Sequence, residues 1–224
     1  MPGHKIRSRW LVLPALAFIV SAPAQQSVIP TVAFNCDFPG SDPAHYGISV
    51  SSDGHASYIS DGKLTRDSDS GEPFTLDFTM APPTLSRIFE LTKKARYFEG
   101  DLDAKKKNIA STGEKTLSYK DPQRSTSATY NYSMVPEVQE LTTLLQNLSS
   151  TLEYGRRIEY DQRYQKLALD EELKRMEDVS TRGELGDVVV IAPILKKVVD
   201  DPSVVNAARA RAQRLLDHAG KLSK

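Results

Sequence analysis

The chain has 224 residues, of which 39% are hydrophobic and 26% charged, a composition that fits one globular domain or two small ones and excludes low-complexity and collagen-like chains. Lys plus Arg and Asp plus Glu both number 29, so the overall charge gives no reason to expect nucleic acid or an anionic membrane as a partner. The single cysteine, Cys36, excludes an intrachain disulfide, a cysteine-rich metal site and a CxxC redox pair.

The first 24 residues, 1–24, have the features of a signal peptide. Basic residues precede the apolar run 10–20, and Ala-Pro-Ala at 22–24 matches the small-residue pattern that signal peptidases cut. The apolar run has 11 residues, which is too short for a membrane span of about 20 residues. We therefore expect a mature chain that begins at Gln25 and is periplasmic or secreted.

The N-terminal half of the mature chain predicts mainly strands. Residues 25–43 are rich in Pro, Ser, Asp and Gly and predict an extended lead-in with at most one short strand, at 32–34. Beyond them, apolar and polar side chains alternate as in half-buried strands, and the polar stretch 61–72 predicts a solvated loop. The predicted strands are 45–50, 56–59, 74–80, 108–110, 116–119 and 127–132.

One amphipathic helix interrupts these strands. Pro82 and Pro83 open the helix, and apolar residues recur at helical spacing over 85–95. Strands that are joined by short turns and interrupted by one helix are typical of an antiparallel sheet with a helix packed on one face. We expect this sheet domain to cover residues 44–134.

Beyond residue 134 the spacing of apolar residues becomes helical. Val135-Pro136-Glu137 begins a leucine-rich helix that is predicted to run to Gly155. The next segment, 156–179, has apolar side chains on two sides of a helical wheel, so we expect this helix to be buried on two faces. One side carries Ile158, Leu169, Leu173, Met176 and Val179, and the other carries Tyr160, Tyr164 and Leu167.

The C-terminal residues predict a helical hairpin. The apolar run 188–191 is compatible with a strand or with a helix that contains Pro193 in its first half. Ser203 is placed to cap a final helix that runs to His218. The predicted fold class is therefore α+β, in which an antiparallel β-sheet with one packed helix is followed by a C-terminal all-helical part over 135–224.

Two stretches resemble known families. The strand pattern over 46–58, the helix that ends in Tyr97-Phe98, the segment 112–119 and the leucine-rich helix together resemble small exported bacterial proteins that contain a domain of unknown function. This resemblance covers about 44–151 and implies an exported α+β domain without an assigned activity. Residues 185–219 resemble a single HEAT-type helical repeat, and because such repeats stack in about three copies, one copy predicts a helical hairpin.

Three local sequences resemble chemical motifs but lack essential positions. The segment 110–116 resembles a phosphate loop, but Glu114 interrupts the required Gly-Lys pair. The segment 47–51 departs from the nucleophile elbow at its last position. The segment 67–72 has the alternating carboxylates of a calcium loop without the remaining ligands, so we expect an ordinary solvated loop.

Two histidines and one acidic cluster remain as candidate site residues. His45 and His55 flank the predicted hairpin but need a third ligand to hold a metal, so we interpret them as exposed residues at strand ends. Glu99, Asp101 and Asp103 are followed by three lysines and predict an acidic-then-basic surface turn. The sequence thus predicts no catalytic, cofactor-binding or metal-ligating residue, and no cofactor.

We expect an exported protein that acts by binding and not by catalysis. The expected partner is another envelope or secreted protein, with no nucleic acid and no membrane span after signal cleavage. We expect Cys36 to be buried and free, and the chain to be a monomer. The alternative is an envelope-associated hydrolase whose site no local motif reveals, for which a deep pocket that gathers His45, His55 and carboxylates would be evidence. An exposed apolar or aromatic groove would favour the binding protein.

Overall fold

The computed structural model describes residues 28–65, 67–105 and 110–222. The predicted signal peptide over 1–24 and the predicted mature start at Gln25 lie outside these ranges, as does most of the predicted strand 108–110. Over the described ranges the chain has one antiparallel sheet and five α-helices, the last of them at the C-terminal end, so the predicted α+β class is confirmed.

The sheet contains six strands in the described part of the chain. They are β1 (Thr31–Asp37), β2 (His45–Ser51), β3 (His55–Ser60), β4 (Phe74–Thr79), β5 (Glu114–Lys120) and β6 (Ser125–Tyr130). Their order across the sheet is β4-β3-β2-β1-β5-β6, and every neighbouring pair is antiparallel. The predicted hairpin and the strand that follows it are confirmed as β2, β3 and β4.

The central strand, β1, lies within the predicted lead-in 25–43. It has seven residues, more than the short strand expected at 32–34, and it pairs with β2 on one side and with β5 on the other. Its side chains alternate between buried and exposed positions. Val32, Phe34 and Cys36 are buried, while the residues between them are partly or fully exposed. The polar and proline-rich sequence on both sides obscures this alternation. The sheet therefore begins before residue 44.

The structure describes five α-helices, of which two pack on one face of the sheet and three extend beyond it. They are α1 (Pro82–Lys94), α2 (Pro136–Tyr164), α3 (Leu169–Thr181), α4 (Ala192–Asp200) and α5 (Asn206–Leu222). Helices α1, α2 and α4 each have a proline in the first turn, where the missing N–H costs no hydrogen bond. The side chains of α1 and α2 join the buried side of the sheet in one core, while α3 and α4 pack against α2 and α5 packs against α3 and α4. None of the helices described is both long enough and apolar enough to cross a bilayer.

Helix α2 joins the sheet to the C-terminal helices. It has 29 residues, which corresponds to a length of about 44 Å. Val138 and Leu145 in its first half are buried in the same core as the sheet, and Ile158 in its second half is buried with Leu173 of α3. The predicted sheet domain and the predicted helical region therefore share one core, and α2 belongs to both.

The helix predicted to end at Gly155 continues to Tyr164. Gly155 lies inside α2 and allows another segment to approach the helix closely. A Cβ at this position would lie 2.6 Å from Cγ2 of Ile191, which belongs to the 3₁₀ turn Val188–Ile191. Here glycine marks a close packing contact and not a helix end.

The segment 156–179, predicted as one helix, is divided between α2 and α3 by a short bend. The apolar side that contains Leu173 is buried, as predicted. The opposite side is not, because Tyr164 is 65% exposed, Leu167 is 91% exposed and Tyr160 is only half-buried. That prediction was wrong because a helical wheel assumes an unbroken helix, and the bend changes the direction of every residue beyond it.

The C-terminal segment forms the predicted helical hairpin. The apolar run that was compatible with strand or helix is the 3₁₀ turn Val188–Ile191, which leads into α4 with Pro193 in the first turn. Helix α5 begins at Asn206, beyond the predicted cap Ser203. The hydroxyl of Ser203 instead donates to a carboxylate oxygen of Asp201 at 2.5 Å, inside the turn between the two helices.

Candidate binding cavity

A mostly polar row of side chains crosses the buried face of the sheet where β1 ends and β2 begins. The antiparallel register places one residue from each strand side by side in this row. We call it the polar row, and from β4 to β6 it consists of Phe74, Ser60, Tyr46, Cys36, Lys115 and Tyr130. The next row on the same face is almost wholly apolar and consists of Leu76, Tyr58, Ile48, Phe34, Leu117 and Ala128.

One side of α2 complements the polar row. The polar side chains on this side, spaced by four, three and four residues, are Thr142, Gln146, Ser149 and Glu153. The hydroxyl oxygens of Tyr130 and Thr142 lie 2.6 Å apart, and the Thr142 hydroxyl is also 2.6 Å from the carbonyl oxygen of Val138. The hydroxyl of Ser60 donates to Oε1 of Glu153 at 2.5 Å. The helix and the sheet are therefore joined here by hydrogen bonds between side chains.

A cavity of about 530 Å³ lies between the polar row and α2. Cys36 and Tyr46 contribute to its wall from the sheet, and Gln146, Glu153 and Arg157 contribute from α2. We call it the α2 cavity. Its volume lies within the range of about 300–1,000 Å³ that is typical of small-molecule sites.

Two smaller cavities continue the α2 cavity along the helix. One has a volume of about 370 Å³ and shares Thr112 and Gln146 with it. The other has a volume of about 280 Å³ and shares Arg157. The concave surface therefore follows one side of α2 for much of its length.

Glu153 is the most buried charged side chain in the wall of the α2 cavity, with 2% of its surface exposed. Its Oε1 accepts hydrogen bonds from the hydroxyls of Tyr58 at 2.9 Å and Ser60 at 2.5 Å. Its Oε2 has no hydrogen-bond partner within the described ranges, and Nη1 of Arg156 lies 3.9 Å away. A buried carboxylate oxygen without a hydrogen bond costs free energy. Packing alone therefore does not explain a glutamate at this position.

Arg156 attaches the long loop between β3 and β4 to α2. Its Nη1 and Nη2 donate to the carbonyl oxygens of Gly62 and Glu72, each at 3.0 Å, and its guanidinium lies 4.7 Å from the ring centre of Phe74. Gly62 has no room for a side chain, because a Cβ there would lie 2.3 Å from Oε2 of Glu153. The loop that the sequence predicts as solvated is thus anchored near both of its ends.

Arg157 has a fixed orientation in the wall of the cavity. Only 8% of its surface is exposed, its Nε donates to Oε1 of Glu172 in α3 at 2.6 Å, and its guanidinium lies 4.8 Å from the ring centre of Tyr154. Neither Nη group is hydrogen-bonded to the part of the chain that the structure describes. Because arginine binds carboxylates and phosphates through two parallel N–H groups, these Nη groups can still bind an anionic group.

Cys36 and Lys115 are neighbours in the polar row, and burial favours the uncharged form of each side chain. Burial raises the pKa of the Cys36 thiol and lowers the pKa of Lys115. The thiol, which is free as expected, is therefore protonated at neutral pH and is a poor nucleophile. Nζ of Lys115 donates to the carbonyl oxygens of Thr112 and Gly113 at 2.9 and 3.0 Å. Hydrogen bonds from Lys115 therefore stabilise the turn that resembles a phosphate loop.

His45 and His55 lie at opposite ends of the hairpin. Each is the first residue of its strand, and the strands are antiparallel, so the two rings do not face each other. Nδ1 of His45 lies 3.1 Å from a carboxylate oxygen of Asp37, and the backbone N–H of His55 donates to Asp53. Both histidines are exposed, so their interpretation as residues at strand ends is confirmed.

The acidic candidates lie apart from the α2 cavity. Asp101 pairs with Lys105 and accepts the backbone N–H of Asp103 at 3.1 Å, and these interactions lower its pKa. Glu99 is exposed beside them. Across the described ranges, no three His, Cys, Asp or Glu side chains are arranged to hold a metal ion, and this includes the described residues of the loop 67–72.

Asp161 is a second buried acid, one helical turn beyond Arg157. It is 6% exposed, it lines the cavity of about 280 Å³, and its carboxylate has no hydrogen bond within the described chain. Burial raises the pKa of Asp161 to about 6, the negative charge of Glu172 adds to this rise, and the positive charge of Arg157 opposes it. Asp161 is therefore held as a carboxylate at neutral pH against the cost of its burial.

The sequence pattern does not reveal the residues of the α2 cavity. The spacing of Gln146, Ser149 and Glu153 is visible in the sequence beside the leucine positions. A polar stripe next to an apolar stripe is normally the solvated side of an amphipathic helix. The spacing of these three residues therefore does not indicate a buried site. Only the pairing of β1 with β2 and β5 shows that the stripe lies over a buried polar row.

No protein-family model matches the chain, and no curated protein matches it. The resemblances over 44–151 and 185–219 therefore stay predictions.

Proposed function

We propose that this is an exported protein that acts by binding, and that its ligand is a small polar molecule held in the α2 cavity. The observation that carries the proposal is the buried polar lining of a cavity of about 530 Å³. Glu153 and Arg157 are both more than nine-tenths buried there, and each has a polar group without a hydrogen bond to the described chain. A ligand that pairs with the Nη groups of Arg157 removes part of the cost of burying that guanidinium.

The lining of the cavity is also positioned before any ligand binds. The Oε1 atom of Glu153 is held by two hydroxyls, and the guanidinium of Arg157 is held by Glu172 and by the ring of Tyr154. Polar groups that are already ordered lose little conformational entropy on binding, which favours affinity. The α2 cavity gathers carboxylates without His45 or His55, whereas a separate cavity of about 420 Å³ gathers His45 with Asp37, Asp61 and Glu114. The hydrolase therefore stays the alternative prediction.

Export is the second part of the proposal, and the sequence of residues 1–24 supports it. The basic start, the apolar run and the small residues before Gln25 have the order and lengths of a cleaved signal peptide. A periplasmic or secreted location brings the cavity into contact with nutrients, cell-wall fragments and other envelope proteins. The expected protein partner is another envelope or secreted protein. A ligand-binding protein would deliver its ligand to such a partner or signal to it that the ligand is bound.

The test of binding is equilibrium dialysis of the mature protein against a low-molecular-weight extract of the producing cells, with mass spectrometry of both compartments. We expect at least one polar compound to be enriched with the protein. Ser150→Tyr places a phenol ring in the wall of the cavity and should abolish the enrichment. Glu159→Tyr adds the same ring on an exposed part of α2 and should preserve it. The absence of any enriched compound, or equal enrichment by both variants, contradicts the proposal.

The test of export is N-terminal sequencing of protein recovered from the periplasm or the medium. We expect the sequence to begin at Gln25, because Ala22 and Ala24 precede it at the cleavage positions. Recovery of the chain only from the cytoplasm with Met1 intact contradicts this part of the proposal and leaves the binding test unaffected.

A further inference from the structure

We propose that the α2 cavity binds a zwitterion that carries a free ammonium and a free carboxylate, such as an amino acid or a dipeptide, with Arg157 as the residue that binds the carboxylate. This inference rests on the proposed function and specifies its ligand. It follows from the charges in the wall of the cavity and from the orientation of one buried guanidinium.

Arg157 is built to receive a planar anionic group. The Nε–H to Glu172 hydrogen bond and the contact with the Tyr154 ring fix the plane of the guanidinium, and they leave the two Nη groups without a hydrogen bond to the described residues. Two Nη groups in a fixed plane match the two oxygens of a carboxylate. The ion pair with Glu172 is made by Nε of the guanidinium and therefore does not occupy the Nη groups.

The rest of the wall favours a positive group. Asp42, Glu153 and Glu184 line the α2 cavity, whereas Arg157 supplies the positive charge of this lining. Asp42 and Glu184 are exposed, and Glu184 pairs with Arg182 at 3.0 Å, whereas Glu153 is buried. A purely anionic ligand meets repulsion from these carboxylates, and a purely cationic ligand leaves the Nη groups of Arg157 unpaired. A ligand with both charges avoids each of these costs.

The uncharged polar groups suit the remaining atoms of such a ligand. Gln146, Asn147 and Ser150 line the same cavity and offer amide and hydroxyl groups. The Asn147 amide donates to the carbonyl oxygen of Gly183 at 3.1 Å, which orients its own oxygen as an acceptor. A volume of about 530 Å³ lies in the lower half of the range of about 300–1,000 Å³ that is usual for ligand sites, so a small ligand is favoured.

The experiment is equilibrium dialysis of the mature protein against four separate mixtures, followed by mass spectrometry. The mixtures are the free amino acids, a pool of free dipeptides, the same dipeptides with amidated C-termini, and the same dipeptides with acetylated N-termini. We expect enrichment from one or both zwitterionic mixtures and at least tenfold less from each blocked pool. The first two mixtures distinguish an amino acid from a dipeptide as the ligand.

Two matched variants test the role of Arg157. Arg157→Lys keeps the charge but loses the planar pair of donors, and we expect it to weaken binding of the enriched zwitterion at least tenfold. Arg175→Lys is the control, because Arg175 also pairs with Glu172, at 3.7 Å, and does not line the α2 cavity. We expect this control to bind as the unaltered protein does. If Arg157→Lys does not fold, the two blocked pools still decide whether both charges of the ligand are needed.

The outcomes separate this inference from the proposed function. Equal enrichment from the free and the blocked pools, or equal loss of affinity in the two variants, overturns the inference and leaves the binding function in place. Enrichment from the cell extract without enrichment from any of the four mixtures does the same. No enrichment from the extract or from the mixtures overturns both.

Discussion

Replacement of the buried Asp161 by asparagine is expected to stabilise the protein at neutral pH. Asp161 is 6% exposed, and its carboxylate has no hydrogen bond within the described ranges. Glu172 of α3 faces it with a like charge, and Glu171, Arg175 and Asp67 line the same small cavity. Asparagine has nearly the same shape without the charge, so the substitution removes the cost of desolvating a carboxylate there.

The size of the effect follows from the pKa of Asp161. Burial is the largest cause of its rise from about 3.8 to about 6, the charge of Glu172 adds to the rise, and Arg157 opposes it. A difference of about 2 pKa units corresponds to about 3 kcal/mol. The folded state binds the proton of the Asp161 carboxyl more tightly than the unfolded chain does. The bound proton therefore contributes its full stabilisation of the unaltered protein below about pH 4, and this stabilisation is lost as the pH rises through about 6.

The assay is urea unfolding of the unaltered protein and of Asp161→Asn between pH 4 and pH 8. We expect the stability of the variant relative to the unaltered protein to increase by about 3 kcal/mol over this range, with most of the change between pH 4 and pH 6. Asp178→Asn is the control, because Asp178 is exposed on α3, and it should change the stability by less than about 0.5 kcal/mol at each pH. A difference between Asp161→Asn and the unaltered protein that does not vary with pH, or that decreases as the pH rises, refutes the reasoning.

Three further predictions concern packing and redox state. Leu173→Ala removes a fully buried side chain and should cost about 2–5 kcal/mol in urea unfolding, whereas the exposed Glu171→Ala should cost less than about 0.5 kcal/mol; equal effects would show that α3 is not packed as described. Gly155→Ala, where the new Cβ would lie 2.6 Å from a side-chain atom of the neighbouring turn, should destabilise the protein by about 1–3 kcal/mol. For Gly220→Ala, the described part of the chain outside the helix's own backbone places no atom within 4 Å of the new Cβ, so this variant should be neutral or slightly stabilising; the reverse order of the two effects would contradict this account. Cys36 is buried and free, so we expect a single band on a denaturing gel with or without reductant; a dimer that disappears on reduction would show that the thiol links two chains.

Local periodicity was sufficient for the elements and for their class. Strands β2 to β6 were predicted from alternation, and α1 and the start of α2 from helical spacing after proline, because these patterns reflect which side of each element is buried. The prediction was wrong where one pattern covers two elements. The segment 156–179 reads as one helix, and nothing local in it shows the bend that leaves Leu167 91% exposed.

Strand β1 shows how tertiary context overrides composition. Its flanks are polar and rich in proline, which is typical of a lead-in, yet the strand is in the middle of the sheet. A strand with partners on both sides has all of its backbone groups hydrogen-bonded, and the buried side chains Val32 and Phe34 add apolar contacts. Seven residues with this alternation are therefore enough to form a central strand when a partner strand pairs along each side.

The sequence by itself determined the α+β class, most of the strands and helices, and the apolar residues of the core. Those properties depend on side chains that are close together along the chain. The α2 cavity depends instead on register, which places Cys36 beside Tyr46 and Lys115 on neighbouring strands, and on the packing of α2 against this part of the sheet. A shift of one residue in either pairing would turn these polar groups to the other face of the sheet. Only the tertiary structure therefore decided that Glu153 and Arg157, on an ordinary polar stripe of a helix, are buried and face a cavity.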